Sequence, residues 1–364
     1  MSDNRNENKN AGKIALAALG VLGIAGALAL GTEYFFELGF VNRKGKTPRP
    51  DMSVWDPAVM ERPRPAASKN LKKRRQRNTD IMSPEYVERN TELKRKIDEG
   101  RAWILAQNPE RWNITSKDGI PLVAHYIPAE EPKALFIMVH GYRSSGLRDF
   151  SCAAKPFYEK GISMLILDNR ASGESGGKYM SYGALERFDV VQWAEEAQRR
   201  LPNLPILFDG VSMGAATVLM AASLPLPENV CGIVADSGFT SPSDIFKSVM
   251  KRMYKLPTFP FLPLARVMCK KRIGVDFEAV SAAESVKNTN VPIFFAHGTG
   301  DTFVPYDMSK ENFENAPNGM ARLVLIDGAE HAQGYLCDPE GYSRELDQFI
   351  NDCICRWVHG GNLE

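Results

Sequence analysis

Histidine is scarce in this chain: five in 364 residues, at positions 125, 140, 297, 331 and 359. Any chemistry that needs an imidazole must draw on that short set. There are six cysteines, Cys152, Cys231, Cys269, Cys337, Cys353 and Cys355. No two have C-x-x-C spacing, so the usual signature of a structural metal site is absent. Their even number permits disulfides without requiring them in a chain this large. Neither sign of charge dominates, since 45 Lys and Arg face 44 Asp and Glu for a formal net charge of +1. Nothing electrostatic therefore invites nucleic acid. Internal repeats are missing too, and only one long apolar run occurs.

That run is residues 14–31, 18 uncharged positions rich in Ala, Leu and Gly, at the threshold for crossing a bilayer core. It is apolar all round, unlike a helix packed on one face. Residues 1–41 are read as an N-terminal anchor in the cell membrane. The alternative is a cleaved signal peptide of a secreted protein, because Ala27-Leu28-Ala29 has the small-x-small spacing of a cleavage site. Arg5, Lys9 and Lys13 precede the run and Arg43, Lys44, Lys46 and Arg49 follow it, which leaves the orientation open. Residues 42–80 read as a linker broken by Pro48, Pro50, Pro57, Pro63 and Pro65. It ends in Lys72-Lys73-Arg74-Arg75-x-Arg77, a cluster suited to anionic headgroups or simply to water.

Composition is otherwise ordinary for a globular protein, 44% apolar and 24% charged, with chain enough for one large domain or two small ones. Residues 81–364 read as one domain opening on an amphipathic helix over 83–107. Strands are expected at 120–127, 134–139, 163–168, 205–209, 230–235, 291–296 and 322–326. Helices are expected at 147–160, 184–200, 213–223, 306–317 and 340–356. Strands alternating with helices and apolar on both faces imply an α/β fold with a mostly parallel, doubly covered sheet. In such sheets ligands bind beyond the carboxyl ends of the strands.

Three residues at such ends suit nucleophilic catalysis. Gly210-Val211-Ser212-Met213-Gly214 fits G-x-S-x-G between a strand and a helix, the context that presents a serine on a sharp turn. A serine needs a base, and His331, in a loop just after the strand 322–326, is the one well-placed histidine. The base needs a carboxylate. Asp301 follows the strand 291–296 and precedes His331 by 30 residues; Asp236, which also ends a strand, is its rival. Backbone N–H groups of Tyr142, after the strand 134–139, and of Met213, after the nucleophile, are expected to form the oxyanion hole. His140 is expected to brace its loop.

The motifs His140-Gly-Tyr, Asp168-Asn-Arg170-Ala-Ser-Gly173, Gly210-Val-Ser-Met-Gly214, Asp236-Ser237, His297-Gly-x-Gly-Asp301-x-x-Val-Pro305 and Glu330-His331 resemble those of bacterial α/β-hydrolases. Over residues 110–355 the chain is most similar to membrane-anchored, prolyl-oligopeptidase-like or BEM46-like serine hydrolases. The resemblance implies an α/β-hydrolase fold with an eight-stranded sheet, Ser212, Asp301 and His331 as triad, and Tyr142 and Met213 at the oxyanion. The family's Asp-x-Arg-Gly turn stands here as Asp168-Asn169-Arg170-Ala171, which puts that turn's geometry in question. Residues 237–290 exceed a simple crossover, so a small cap lining an acyl pocket stands beside ordinary helix packing. The expected activity is hydrolysis of a carboxylic ester of a small acyl substrate, with a small-peptide peptidase, an acyltransferase and a non-catalytic binding module as rivals. Such a triad requires no metal or organic cofactor. Oligomeric state is not legible.

Overall fold

Every residue of the strand Ala134–Val139 (β3) is buried, and its side chains alternate between two helical layers as the pleat requires. Leu135, Ile137 and Val139 face one layer; Ala134, Phe136 and Met138 face the other. The same division holds in Ile162–Asp168 (β4), where Leu165 and Leu167 oppose Met164 and Ile166. Apolar runs without alternation are thus strands covered twice. The computed structural model describes Thr32, Glu33, Phe36, Glu37, Gly39, Phe40, Val41 and residues 84–360.

The remaining strands are Glu110–Thr115 (β1), Pro121–Ile127 (β2), Ile206–Val211 (β5), Val230–Asp236 (β6), Ile293–Gly298 (β7) and Ala321–Ile326 (β8). They form an eight-stranded sheet in the order β1-β2-β4-β3-β5-β6-β7-β8. β1 and β2 run antiparallel to their neighbours, and the rest are parallel. The seven expected strands are all present. β1 is additional: an edge strand, exposed apart from Trp112 and half-buried Ile114, so it carries no apolar run to betray it.

One face of the sheet is covered by Pro84–Ala106 (α1), Gly146–Asp149 (α2), Ser151–Glu159 (α3) and the C-terminal Pro339–Val358. Glu186–Arg200 (α4), Met213–Ala221 (α5) and Asp307–Asn315 cover the other. The single helix expected at 147–160 is two, broken at Phe150, directly after Asp149, whose carboxylate accepts from Gly141 N–H. Pro242–Arg252 (α6) and Phe261–Arg272 (α7) stand over the carboxyl ends of the strands, within the segment 237–290.

At the turn after β4, Ala171 adopts φ 57°, the left-handed conformation that glycine favours. Its N–H donates to Gly176 O at 2.7 Å, and the adjacent Arg170 is locked onto buried Asp189 by two bonds of 2.6 Å. The turn therefore forms without its glycine.

Residues 1–31 and 42–80, where an anchor and a linker are expected, lie outside the described residues. Among the described residues, no helix is long and apolar enough to cross a membrane. What is described of 32–41 packs on the domain. Phe36 and Phe40 are buried, with rings 5.1 Å apart, and Phe40 lies 5.3 Å from both Tyr182 and Phe246. Val41 bridges Tyr179, the Tyr182 hydroxyl donates to Gly39 O at 2.9 Å, and Arg272 holds Glu33 at 2.6 and 2.7 Å.

Candidate active site

β5 ends at Val211 and α5 begins at Met213, leaving Ser212 alone in the turn at φ 57° and ψ −114°. A non-glycine residue held there costs on the order of 1–3 kcal/mol, which the surroundings must impose. They do so through two close approaches. A Cβ at Gly210 would fall on Gly214 O, and one at Gly214 would fall on Val139 O. Ser212 N–H donates to Asp236 O at 2.8 Å, tying the turn to the end of β6. The serine hydroxyl thus projects from the sheet at the N-terminus of a nine-residue helix, where negative charge is favoured.

The loops after β7 and β8 bring Asp301 and His331 to the same point. His331 Nε2 lies 2.9 Å from Ser212 Oγ, and His331 Nδ1 lies 2.6 Å from Asp301 Oδ2. A carboxylate acceptor fixes the proton on Nδ1 and leaves Nε2 to accept from the serine. Asp301 Oδ1 accepts from the N–H groups of Phe303 and Val304 at 2.8 and 2.9 Å. His297 adds a second imidazole to Oδ2 at 3.1 Å. Because His297 Nε2 also lies 3.1 Å from Val304 O, that nitrogen carries the hydrogen, and Nδ1 accepts from Ser309 Oγ at 2.6 Å. Burial pushes the Asp301 pKa up, but hydrogen bonds from His297 and His331 outweigh it and hold the carboxyl well below the ordinary range.

Asp236, the rival acid, does not meet His331. Its carboxylate accepts from Ser237 Oγ at 2.8 Å and from the Tyr342 hydroxyl at 3.0 Å. Ser237 Oγ in turn accepts from Ala332 N–H at 3.2 Å and so steadies the His331 loop. Neighbouring Asp209 is pushed up to about 8 by burial and by the Asp236 charge. Sequence reasoning assigned no role to His297, Ser237 or Asp149. His297 stood in view at a strand end, four residues before Asp301, and Ser237 in the motif Asp236-Ser237; Asp149 had no local signal.

Met213 N–H opens α5 beside the serine, and Tyr142 lies on the loop after β3. That loop is braced as expected of His140, whose Nδ1–H donates to Gly141 O at 2.8 Å. Asn169 Nδ2 donates to His140 O at 2.9 Å, and Gly141 N–H donates to Asp149 Oδ2 at 2.8 Å. The Tyr142 ring stacks on Tyr182 with centroids 5.2 Å apart.

Two cavities meet at Ser212. One, of about 210 Å³, is lined by Phe40, Tyr182, Phe239, Phe246, Met250 and Leu262 among others, and has no Asp or Glu among its described walls. The helical pair α6–α7 and the 32–41 segment form much of it. The other, of about 360 Å³, mixes apolar walls such as Ile97, Phe150 and Phe157 with His331, Asp209, Asp236, Arg143 and Arg148. Tyr142, Ser212 and Phe303 belong to both. No cluster of His, Cys, Asp and Glu among the described residues could hold a metal ion.

Sheet order, helical layers and the strand–turn–helix at Ser212 are those of the α/β-hydrolase fold. The family described as serine aminopeptidase, S33, matches residues 130–282. The chain is 26% identical over 240 residues to the uncharacterized protein YqkD of Bacillus subtilis, covering 66% of this chain and 78% of that one. A shorter stretch of 119 residues is 33% identical to monoglyceride lipase of Mus musculus, 31% of this chain and 38% of the lipase. In structure, an esterase of Pyrococcus furiosus aligns with a TM-score of 0.56 at 24% identity, over 68% of this chain and 91% of the esterase. The family match and the fold together support a serine hydrolase.

Proposed function

We propose that the chain hydrolyses carboxylic esters with an apolar acyl group, through Ser212, His331 and Asp301. The observation that carries this reading is the division of space around Ser212. His331 lines only the larger cavity, the one whose walls include Asp and Arg side chains, and its imidazolium must hand a proton to the leaving group. The alcohol therefore departs on that side, and the acyl chain occupies the apolar cavity opposite. His331 takes the proton of Ser212 as Oγ attacks the acyl carbon. N–H groups of Met213 and Tyr142 receive the oxyanion, and water entering on the His331 side releases the acid.

The family name favours a second reading, an aminopeptidase. A free α-amine adjoins the scissile carbonyl on the acyl side, and no carboxylate among the described walls of the apolar cavity would meet it. Hydrolysis of aryl esters of graded chain length, set beside aminoacyl amides, separates the two. Ester turnover should rise with chain length and vanish in Ser212→Ala, with the amides inert. Faster cleavage of the amides would hand the site to the peptidase, and products carried onto added alcohols would make it an acyltransferase.

The apolar run at 14–31 is proposed to anchor the chain in the cell membrane, a cleaved signal being the alternative. An N-terminal tag that stays with the membrane fraction supports the anchor; one lost from a secreted product removes it.

A further inference from the structure

The helical pair over the apolar cavity turns an unusual face outward. On α7, Leu262 and Cys269 are buried and Ala265 lines the cavity. Spacing of three and four places Leu264, Val267 and Lys271 on the opposite side, where Val267 is 63% exposed. A helix facing only water carries polar residues there. The connection from α6 adds Phe259 at 76% exposure, while Met253 and Tyr254 are exposed at the rim of the cavity they also line. One such residue is ordinary on a surface, but several on one pair of helices mark an interaction face.

The same segment is mostly basic. Residues 245–275 hold eight Lys and Arg and no Asp or Glu, and Asp244 in the first turn of α6 pairs with Lys247 at 3.2 Å. Arg266, Lys270 and Arg272 are neutralised by Asp276, Glu278 and Glu33. Lys251, Arg252, Lys255 and Lys271 are exposed and have no carboxylate within ion-pair distance among the described residues. Exposed aliphatic and aromatic side chains interspersed with basic ones match the boundary of an anionic lipid leaflet.

Chain position argues for the same occupant. The apolar run of 18 residues ends at residue 31. Thr32 and Phe36, immediately after it, line the cavity beneath α6 and α7, and Glu33 grips Arg272 at the end of α7. A stretch of membrane-spanning composition therefore leads directly into this face. A protein partner would account for the exposed apolar residues but not for that placement.

From these observations we infer that the α6–α7 face docks on an anionic lipid bilayer, so that the apolar cavity takes its acyl chain from the membrane. Docking rests on the surface alone; delivery rests on the ester-hydrolase reading above.

Both parts are tested on the full chain in phosphatidylcholine vesicles with and without phosphatidylglycerol. For docking, Val267→Trp places an indole on the exposed face. Its added emission should be quenched by brominated acyl chains, and more strongly with phosphatidylglycerol, since each basic side chain near such a surface contributes about fivefold. Added emission that is unquenched in both vesicle types overturns docking. For delivery, Phe259→Glu combined with Val267→Glu should lower the ratio of vesicle-borne ester turnover to soluble short-ester turnover by about tenfold. An unchanged ratio overturns delivery. A wild-type chain inert to both esters defeats the ester reading instead, while the quenching still decides docking.

Discussion

Replacing Asp301 by asparagine removes one charge and almost no volume, and the surrounding geometry dictates the outcome. Oδ1 is committed to the N–H groups of Phe303 and Val304, at 2.8 and 2.9 Å. The amide oxygen should stay there, so its NH2 group replaces Oδ2. That group would face the donors now at 2.6 and 3.1 Å, His331 Nδ1 and His297 Nε2. His331 escapes the clash of donors only by moving its proton to Nε2, where it meets Ser212 Oγ and can no longer accept. Turning the amide over merely transfers the conflict to the two backbone N–H groups. A base in the wrong tautomer costs about 10,000-fold in kcat, with KM little changed. Asp236→Asn, whose carboxylate faces Ser237 and Tyr342, should cost far less. The assay is kcat and KM on a soluble aryl ester for wild type and both variants. An Asp301→Asn enzyme within tenfold of wild type, beside a disabled Asp236→Asn, would refute the reasoning and install the rival acid. Stability gives a second readout. Because the folded pKa of Asp301 is lowered, its contribution is present above the unfolded value of about 3.9 and fades as pH falls below it. The gap in Tm between wild type and Asp301→Asn should narrow in acid.

Asp209 has the opposite sign. Its folded pKa is raised to about 8, so between about 3.9 and that value the folded state holds a proton the unfolded chain has lost, and stability falls as pH rises. Asp209→Asn should flatten that fall in Tm; parallel profiles for the two proteins would show that Asp209 titrates normally. Gly214→Ala should destabilise by about 3 kcal/mol or more, lowering Tm by roughly 6–12 °C, because its Cβ would fall on Val139 O; an unchanged Tm contradicts the packing of the turn. Phe40→Ala removes a buried ring shared with Phe36, Tyr182 and Phe246. Kinetics on graded esters should show long acyl chains losing about tenfold more kcat/KM than acetyl esters, and equal losses would remove this residue from the acyl wall.

What could be seen in the sequence was what local pattern encodes. Doubly buried strands are unbroken apolar runs, and the serine turn needs two glycines within five residues, so both were legible. The edge strand β1 escaped because only Trp112 of its six residues is buried. His297 stands only four residues before the carboxylate it touches, but Ser237 acts through Ala332, distant in sequence, and no local spacing announces that pair. The competition between Asp301 and Asp236 could not be resolved by order along the chain, since both end parallel strands. Their side chains part only in space, one toward His331 and the other toward Tyr342. Phe36 and Phe40 read as an extension of the apolar N-terminus, whereas both are buried against the domain.

The central claim is that Ser212 becomes covalently acylated with His331 as its base. Intact-protein mass spectrometry after treatment with a fluorophosphonate, followed by peptide mapping, tests it most directly. A single phosphonyl adduct on Ser212, formed rapidly in wild type, slowly in His331→Ala and not in Ser212→Ala, is the predicted result. A wild-type protein that stays unmodified, or an adduct that persists in Ser212→Ala, would contradict it.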